Sequence, residues 1–280
     1  SMLAMAVPGT VLGVGYIRGF SGGLFHTGLM QGLYGTGLIL IIVFVVRSLP
    51  VGTRSGISAL RQIDKSIEES AYDLGAGSGR LMAGRFDSKT IKLEEVSRWA
   101  SAPVKIGNSF HWDVEAIFGE IVSAVKKARS LYGDAIVSLG IDTWGVDYGL
   151  LDESDKLLNM PYIYRDSRTD GMMDSVFAKI SKKEIYSQTG IQFMFFNTVF
   201  QIAAELEKGG NIGRAKTFLM MPDLLAFMLT GVKVNERTNA STTQMYNPFK
   251  RGWSAEILGK IGAPAGIFKN GFAECGDTIG

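Results

Sequence analysis

The chain has 280 residues, of which 46% are hydrophobic and 20% are charged, and its net charge at neutral pH is +2. This length suits one large domain or two small ones, and the composition excludes a disordered chain, a collagen-like chain and a strongly basic nucleic-acid-binding protein. The single cysteine excludes a disulfide framework and a cysteine-based zinc site, and two histidines argue against a histidine-rich metal centre.

The N-terminal region is poor in charge. Arg18 is the only charged side chain in residues 1–46. Residues 38–46 are apolar on every face of a helix, which is typical of a deeply buried helix or of a membrane span, and about 20 such residues cross a bilayer. Arg47 and Arg54 follow, as a cytoplasmic flank would. We therefore predict one or two apolar, membrane-type helices that contact the inner membrane through residues 1–50, with a buried helix of a soluble protein as the alternative.

A short motif follows this apolar region. Residues 69–75 read Glu-Ser-Ala, three further residues and Gly. The motif resembles the EAA loop of ABC-transporter permeases of the ferric-iron type, with Ser70 in place of the middle alanine. The resemblance implies a permease-like segment over residues 1–72 whose loop docks on an ABC ATPase subunit. The alternative is a surface helix that ends at Gly75.

From residue 73 onward the chain alternates short apolar runs with helical patterns, which is typical of an α/β domain. The continuous apolar run at residues 135–141 is typical of a buried parallel strand. The patterns predict strands over residues 81–86, 135–141 and 148–151, and helices over residues 112–131, 171–180, 199–208 and 221–229.

Two segments of this second part have the composition of binding sites. Residues 73–80 form a glycine-rich turn that would let backbone N–H groups approach phosphate oxygens, with Asp73 able to organise Mg²⁺; a plain turn is the alternative. Residues 142–147 place two acids, Trp144 and Gly145 after the predicted strand 135–141, at the edge where open α/β sheets bind ligands. In the alternative, Asp142 forms a turn and Trp144 belongs to the core.

Each of two further polar segments either binds a ligand or has only a structural role. Residues 164–169 carry two arginines beside Asp166, which either bind a ligand or form a solvated ion-pair cluster. Residues 235–244 are rich in hydroxyl and amide side chains, which either bind sugar hydroxyls or form a hydrogen-bonded turn.

Taken together, these segments resemble the N-terminal part of the rhamnulokinases, in the FGGY family of carbohydrate kinases. The resemblance covers residues 73–280, in family order and spacing. The matching segments are residues 73–80, 111–120, 142–149, 164–171, 189–194 and 235–244. It implies an actin/hexokinase-like (ribonuclease H-like) N-terminal kinase domain in the cytoplasm, a second domain that this chain lacks, and phosphoryl transfer from Mg-ATP to the 1-hydroxyl of L-rhamnulose. No nucleic-acid partner is implied.

The resemblance also assigns residues to roles. Gly145 would contact the sugar, and we extend this to Trp144 and Asp147 beside it. Asp73 would help to hold Mg²⁺. The residues that would line the ATP phosphates are Ala76, Gly77, Ser78, Gly79 and Arg80.

The chain departs from the family pattern at three points. Residues 66–72, which should form an apolar strand, are largely polar, so the chain resembles a fusion of two sequences near residues 72–79. Phe195 stands where the family pattern has proline. No residue matches the family's catalytic aspartate, which implies that this chain is inactive by itself and assigns no catalytic residue; Asp277 does not fit that motif.

Overall fold

The structure is a computed structural model that describes residues 78–86 and 90–280. The chain divides into two units, Ser1–Leu74 and Gly75–Gly280, and every described residue belongs to the second. The predicted membrane-type helices, the permease-like loop and the boundary at residue 72 therefore lie outside the described residues. No helix in the described part is long and apolar enough to cross a membrane.

The described residues contain ten strands, which pair two by two. Four pairs are antiparallel, and the pair of β7 with β10 is parallel. The strands are β1 (Ser78–Phe86), β2 (Ile91–Ala100), β3 (Val104–Ile106), β4 (Ser109–His111), β5 (Tyr148–Leu151), β6 (Thr217–Met220), β7 (Asn235–Glu236), β8 (Tyr246–Asn247), β9 (Gly252–Trp253) and β10 (Phe272–Ala273).

Seven α-helices pack around these strands in the same part of the chain. They are α1 (Val114–Tyr132), α2 (Met172–Lys179), α3 (Lys182–Thr189), α4 (Thr198–Glu207), α5 (Met221–Thr230), α6 (Arg237–Ser241) and α7 (Ala255–Ile261). Side chains at the helix N-termini explain where several of them begin. The Asp113 carboxylate accepts the Ala116 N–H at the start of α1, and Ser181 and Glu184 form a reciprocal capping box at the start of α3.

The antiparallel ladder of β5 and β6 is buried on both faces and separates two apolar clusters. Because successive strand residues point to opposite faces, Tyr148 and Phe218 contribute to one cluster together with helix α4. Leu151 and Leu219 contribute to the other cluster, which includes Trp112. The ladder therefore holds the segment that immediately precedes β5 between two packed layers.

Most of the predicted elements are confirmed. The four predicted helices correspond to α1, α2, α4 and α5, with ends that differ by two residues or fewer, and the strand predicted over residues 148–151 is β5. The strand predicted over residues 81–86 lies within β1. The loop at Phe195 also forms without proline. The Asn197 N–H donates to the Met194 carbonyl at 2.9 Å and closes a turn in which Phe195 takes the second position, where proline is common.

The prediction of a strand over residues 135–141 was wrong. Residues 133–135 form a 3₁₀ turn, and residues 136–144 pair with no strand among the described residues. Val137 is 93% exposed and Leu139 is 53% exposed, so the apolar run is not buried. The physical reason is that apolar periodicity marks residues suited to a sheet interior, whereas a strand also requires a neighbouring backbone with which to form a ladder.

Two glycine-to-alanine substitutions should have opposite effects on stability. A Cβ at Gly149 would lie 2.7 Å from Leu224 Cδ2 and 3.0 Å from Leu157 Cδ2, so Gly149→Ala should lower the free energy of unfolding by about 1–3 kcal/mol through overpacking. Gly119 lies on an exposed face of α1 with no atom within 4 Å of the added Cβ, so Gly119→Ala should raise the free energy of unfolding by roughly 0.5–1 kcal/mol. Urea unfolding measures both; equal effects of the two substitutions would contradict this packing.

Candidate functional site

The backbone turns sharply just before β5. The Asp147 N–H donates to the Gly145 carbonyl at 2.9 Å, which closes a three-residue turn around Val146. Val146 has a φ of 67°, a left-handed conformation that is strained for a β-branched residue. Strained backbone of this kind persists only where the surrounding structure holds it, and it is concentrated at functional sites. The turn is therefore the first indication of a site at residues 144–147.

Side chains from two helices hold the strained turn in place. The Val146 carbonyl accepts a hydrogen bond from Thr198 Oγ1 at 2.6 Å and another from Gln201 Nε2 at 3.2 Å. The Val146 N–H donates to Thr242 Oγ1 at 3.3 Å. Helix α4 supplies the first two groups and the end of α6 supplies the third, so the conformation of this turn depends on both.

Gly145 lies directly against the polar segment at residues 235–244. A Cβ on Gly145 would lie 3.3 Å from Thr242 Oγ1 and 3.5 Å from Asn239 Oδ1. Asn239 Nδ2 is buried and has no hydrogen-bond partner among the described residues, and the same is true of Trp144 Nε1. Two unpaired N–H donors therefore flank a backbone that has no room for a larger side chain. Both donors suit an acceptor oxygen of a ligand or of water.

The Asp147 carboxylate lies beneath this turn and is completely buried. One oxygen accepts Trp112 Nε1 at 2.7 Å and the Tyr164 N–H at 3.2 Å, and the other accepts Gln201 Nε2 at 3.2 Å. The Asp147 carbonyl accepts the Met221 N–H at 2.9 Å. Asp147 thus connects four segments of the fold, and its carboxylate is directed into the protein.

Burial raises the pKa of Asp147 to about 7. Hydrogen bonds from Trp112, Gln201 and the Tyr164 N–H favour the ionised carboxylate, but they offset only part of the cost of removing the charge from water. Asp223, near the start of α5, is also buried, and burial raises its pKa to about 7. The described part of the chain therefore contains two carboxyl groups that titrate near neutral pH.

Trp144 stacks against a second indole that Asp147 orients. The ring centroids of Trp112 and Trp144 are 4.0 Å apart, with a tilt of 32° between the rings. Because Trp112 is fixed by its hydrogen bond to Asp147, the position of Trp144 depends on the same carboxylate. One face of the Trp144 ring therefore packs against the apolar core, as one of the two interpretations predicts. Its Nε1 group has no partner among the described residues and could donate to a ligand.

Arg168, in the segment at residues 164–169, is not part of a solvated ion-pair cluster, whereas Arg165 is exposed. Arg168 forms a buried ion pair with Glu205 at 2.9 Å, and its guanidinium lies 3.8 Å from the centre of the Tyr162 ring. Arg168 Nη2 also donates to Gln201 Oε1 at 3.0 Å. Gln201 thereby links this ion pair to Asp147, and the cluster is a buried network rather than a solvated one.

The residues assigned to ATP are only partly described. Ser78, Gly79 and Arg80 form the start of β1, and Ser78 and Arg80 are exposed. A Cβ at Gly79 would lie 2.3 Å from the Trp99 ring, so close packing requires glycine there. The remaining assigned residues, Asp73, Ala76 and Gly77, lie outside the described residues. No group of three or more metal-ligating side chains occurs in the described part.

Sequence reasoning missed several residues that build the site. Gln201 and Glu205 were read only as part of a helical pattern, and Thr198 lay just before its predicted start, although the spacing of the three residues places them on one face of the helix. Asn239 and Thr242 were read as members of a polar run, without a specific role. Their contact with Gly145 joins positions almost a hundred residues apart, which no local pattern predicts.

Comparison with known proteins assigns this part of the chain to a family. Residues 71–270 match the FGGY family of carbohydrate kinases, N-terminal domain. The chain belongs to the FGGY family of carbohydrate kinases. It is 46% identical to a rhamnulokinase of Oceanobacillus iheyensis over 199 residues, which are 71% of this chain and 42% of that protein. It is 39% identical to a rhamnulokinase of Bacteroides thetaiotaomicron over 211 residues, which are 75% of this chain and 43% of that protein.

Solved structures of sugar kinases share the fold. Xylulose kinase from Lactobacillus acidophilus aligns with a TM-score of 0.62 at 14% identity, over 74% of this chain and 42% of that chain. Plasmodium falciparum glycerol kinase aligns with a TM-score of 0.54 at 15% identity, over 72% of this chain and 44% of that chain. The predicted actin/hexokinase-like kinase fold is thereby confirmed. None of these matches supports the permease resemblance of residues 1–75. The chain spans about 42% of the length of the curated relatives that it matches.

Asp147 should make the stability of this chain depend on pH. Its pKa is about 7 in the folded chain and 3.8 ordinarily, so the folded state binds the proton more tightly. Stability is therefore highest below about pH 4 with respect to this group. It falls as the pH rises towards about 7, with a slope of at most about 1.4 kcal/mol per pH unit. Asp147→Asn should flatten this slope in urea unfolding followed between these pH values.

Two further variants complete this test. Asp223→Asn should remove a similar part of the slope, because the pKa of Asp223 is also raised to about 7. Glu153→Gln, at an exposed turn, should leave the slope unchanged. Since slopes are compared, a constant loss of stability in any variant does not affect the result. An Asp147→Asn protein with the slope of the wild type would show that the carboxyl group is not buried as described.

Proposed function

We propose that this chain carries the sugar-binding part of a kinase of the rhamnulokinase type. The reaction is the ATP-dependent phosphorylation of L-rhamnulose to L-rhamnulose 1-phosphate, with Mg²⁺. The observation that carries the proposal is the strained turn at residues 145–147, with the unpaired donors of Trp144 and Asn239 beside it. The chain is 39–46% identical to proteins named rhamnulokinase.

The polar groups around the turn suit a neutral, hydroxylated ligand. Trp144 Nε1 and Asn239 Nδ2 are uncharged donors that match hydroxyl or carbonyl oxygens. The nearby cation, Arg168, is neutralised by Glu205 inside the fold. Trp144 and Gly145 are the residues that we propose to contact the sugar. Asp147 lies behind them, so its contribution to binding is to hold Trp112 and the turn in position.

The nucleotide would lie at the N-terminal end of β1. The exposed hydroxyl of Ser78 and guanidinium of Arg80 suit phosphate oxygens. Ala76, Gly77 and the proposed metal-binding residue Asp73 complete this assignment. When bound, Mg-ATP would supply the phosphoryl group, and the chain's own contribution is positioning and charge stabilisation.

Binding of the sugar tests this proposal directly. Calorimetric titration should show that the chain binds L-rhamnulose. Its affinity for D-xylulose should be at least tenfold lower. Gly145→Val should weaken L-rhamnulose binding at least tenfold, because its side chain would collide with Thr242 and Asn239. Gly119→Ala, on the exposed face of α1, is the matched control and should bind as the wild type does. Absence of L-rhamnulose binding, or normal binding by a folded Gly145→Val protein, would contradict the proposal.

The permease-like segment is a separate proposal, supported by the charge-free residues 19–46 and by the motif at residues 69–75. If it contacts the inner membrane, bacterial expression should leave the full chain in the membrane fraction after a high-salt wash. Deletion of residues 1–65 should release it into the soluble fraction. A full chain that stays soluble without detergent would contradict membrane contact and, with it, the proposed ABC ATPase partner.

A further inference from the structure

Three aromatic side chains form a row beside the candidate sugar site. The ring centres of Tyr164 and Phe196 are 5.5 Å apart, and those of Phe196 and Phe195 are 5.1 Å apart, with the rings edge-on to each other in both pairs. Phe195 is 42% exposed, and the other two residues are half-buried. We call these three residues the aromatic row. Because the row is partly open to solvent, a ligand can reach it.

The backbone of the row is bonded to the strained turn before β5. The Gln201 Nε2 group donates to the Phe196 carbonyl at 3.0 Å and to the Val146 carbonyl at 3.2 Å, so one nitrogen atom bonds to both segments. The Tyr164 N–H donates to the Asp147 carboxylate at 3.2 Å. Two of the three aromatic residues are therefore attached to the turn through a single side chain.

A second connection joins the loop of Phe195 to the segment that faces Gly145. The Asn197 side chain donates to the Thr242 carbonyl at 3.4 Å and accepts the Met194 N–H at 2.9 Å. A Cβ on Gly145 would lie 3.3 Å from Thr242 Oγ1. The loop that carries Phe195 is thus held next to the residues that surround the turn.

The fold of its loop does not require a phenylalanine at position 195. The turn is closed by a backbone hydrogen bond from the Asn197 N–H to the Met194 carbonyl, which depends on no side chain. In the described part of the chain, the one ring that contacts Phe195 is that of Phe196. A large aromatic side chain that stays so exposed contributes little burial to stability, so its apolar surface is left for contact with a ligand.

The two ends of the aromatic row differ in polarity. At one end, the exposed Arg165 guanidinium lies 5.3 Å from the centre of the Tyr164 ring, and Tyr164 carries a hydroxyl group of its own. At the other end, Phe195 offers only hydrocarbon. Beside the turn, Trp144 and Asn239 provide unpaired N–H donors. This combination suits a ligand that is hydroxylated along most of its length and apolar at one end.

We propose that Phe195, at the apolar end of the aromatic row, contacts the C6 methyl group of a 6-deoxyketose and selects such sugars over their 6-hydroxy counterparts. This role rests on the proposed sugar kinase activity and makes it more specific. L-Rhamnulose is the 6-deoxy form of L-fructose, so the two sugars differ only by the hydroxyl group at C6. That hydroxyl group finds no hydrogen-bond partner on a phenylalanine ring, whereas a methyl group is favourably removed from water there.

Calorimetric titration of the full chain with L-rhamnulose and L-fructose tests this role. The chain should bind L-rhamnulose at least fivefold more tightly. An apolar pocket rejects one added hydroxyl group by up to about a hundredfold, and a partly open surface discriminates less. If neither sugar binds, the proposed function fails and the role of Phe195 fails with it. If both bind and the preference is below fivefold, the proposed function stands and the role of Phe195 is wrong.

Two substitutions of Phe195 separate apolar contact from support of the loop. Phe195→Asn removes the apolar surface and should lower the preference for L-rhamnulose over L-fructose at least threefold. Phe195→Leu keeps an apolar side chain and should lower it less than twofold. Phe249→Ala, the control, removes an exposed phenylalanine between β8 and β9 and should leave the preference unchanged. Both positions are exposed, so all three variants should fold.

The ratio of the two affinities distinguishes substrate selection from a structural effect. An equal loss of affinity for both sugars in Phe195→Asn would show that Phe195 only supports the loop, and would overturn its proposed role. A loss of preference in Phe195→Leu as large as that in Phe195→Asn would also overturn it, because selection would then not depend on apolar contact. The same conclusion follows if Phe249→Ala loses the preference, since the effect would then not belong to the aromatic row.

Discussion

The arrangement of this domain depends on one buried carboxylate. Asp147 accepts hydrogen bonds from the loop before α1, from the segment at Tyr164 and from helix α4, while its backbone carbonyl holds the start of α5. These segments are far apart in sequence. A carboxylate with two oxygens and several lone pairs can accept from all of them, whereas an apolar side chain of the same size would join none.

This network also explains why a strained turn is stable where it is. The left-handed conformation of Val146 costs free energy, and it is retained because Thr198, Gln201 and Thr242 bind its carbonyl and N–H groups. The same residues bring α4 and α6 against Gly145. The geometry of the turn at the candidate site is therefore set by hydrogen bonds within the protein.

Much of the fold could be predicted from sequence, and the failures have a common cause. Helices α1, α2, α4 and α5 follow from apolar periodicity, and β5 follows from a short apolar run next to a polar turn. The strand at residues 135–141 has an equally clear pattern, but strand formation depends on a neighbour that local sequence does not specify. In the same way, Gly145 and Trp144 were predicted as site residues from their position after an apolar run, whereas Asn239, Thr242 and Gln201 reach the candidate site through contacts across the fold. Local patterns describe which residues suit an element, and only tertiary contacts decide which residues meet.

The Gln201 amide has a fixed orientation in the buried network. Its Nε2 group faces Asp147 and the Val146 carbonyl, and its Oε1 faces Arg168, so the amide lies between a carboxylate and a guanidinium. Because the two ends of the amide are chemically different, only one orientation satisfies both neighbours. Glutamate would place a second negative charge against Asp147, and a hydrocarbon side chain would separate the two charged groups without bonding either. The neutral Gln201 side chain therefore lies between Asp147 and the Arg168–Glu205 ion pair and forms hydrogen bonds to both Asp147 and Arg168.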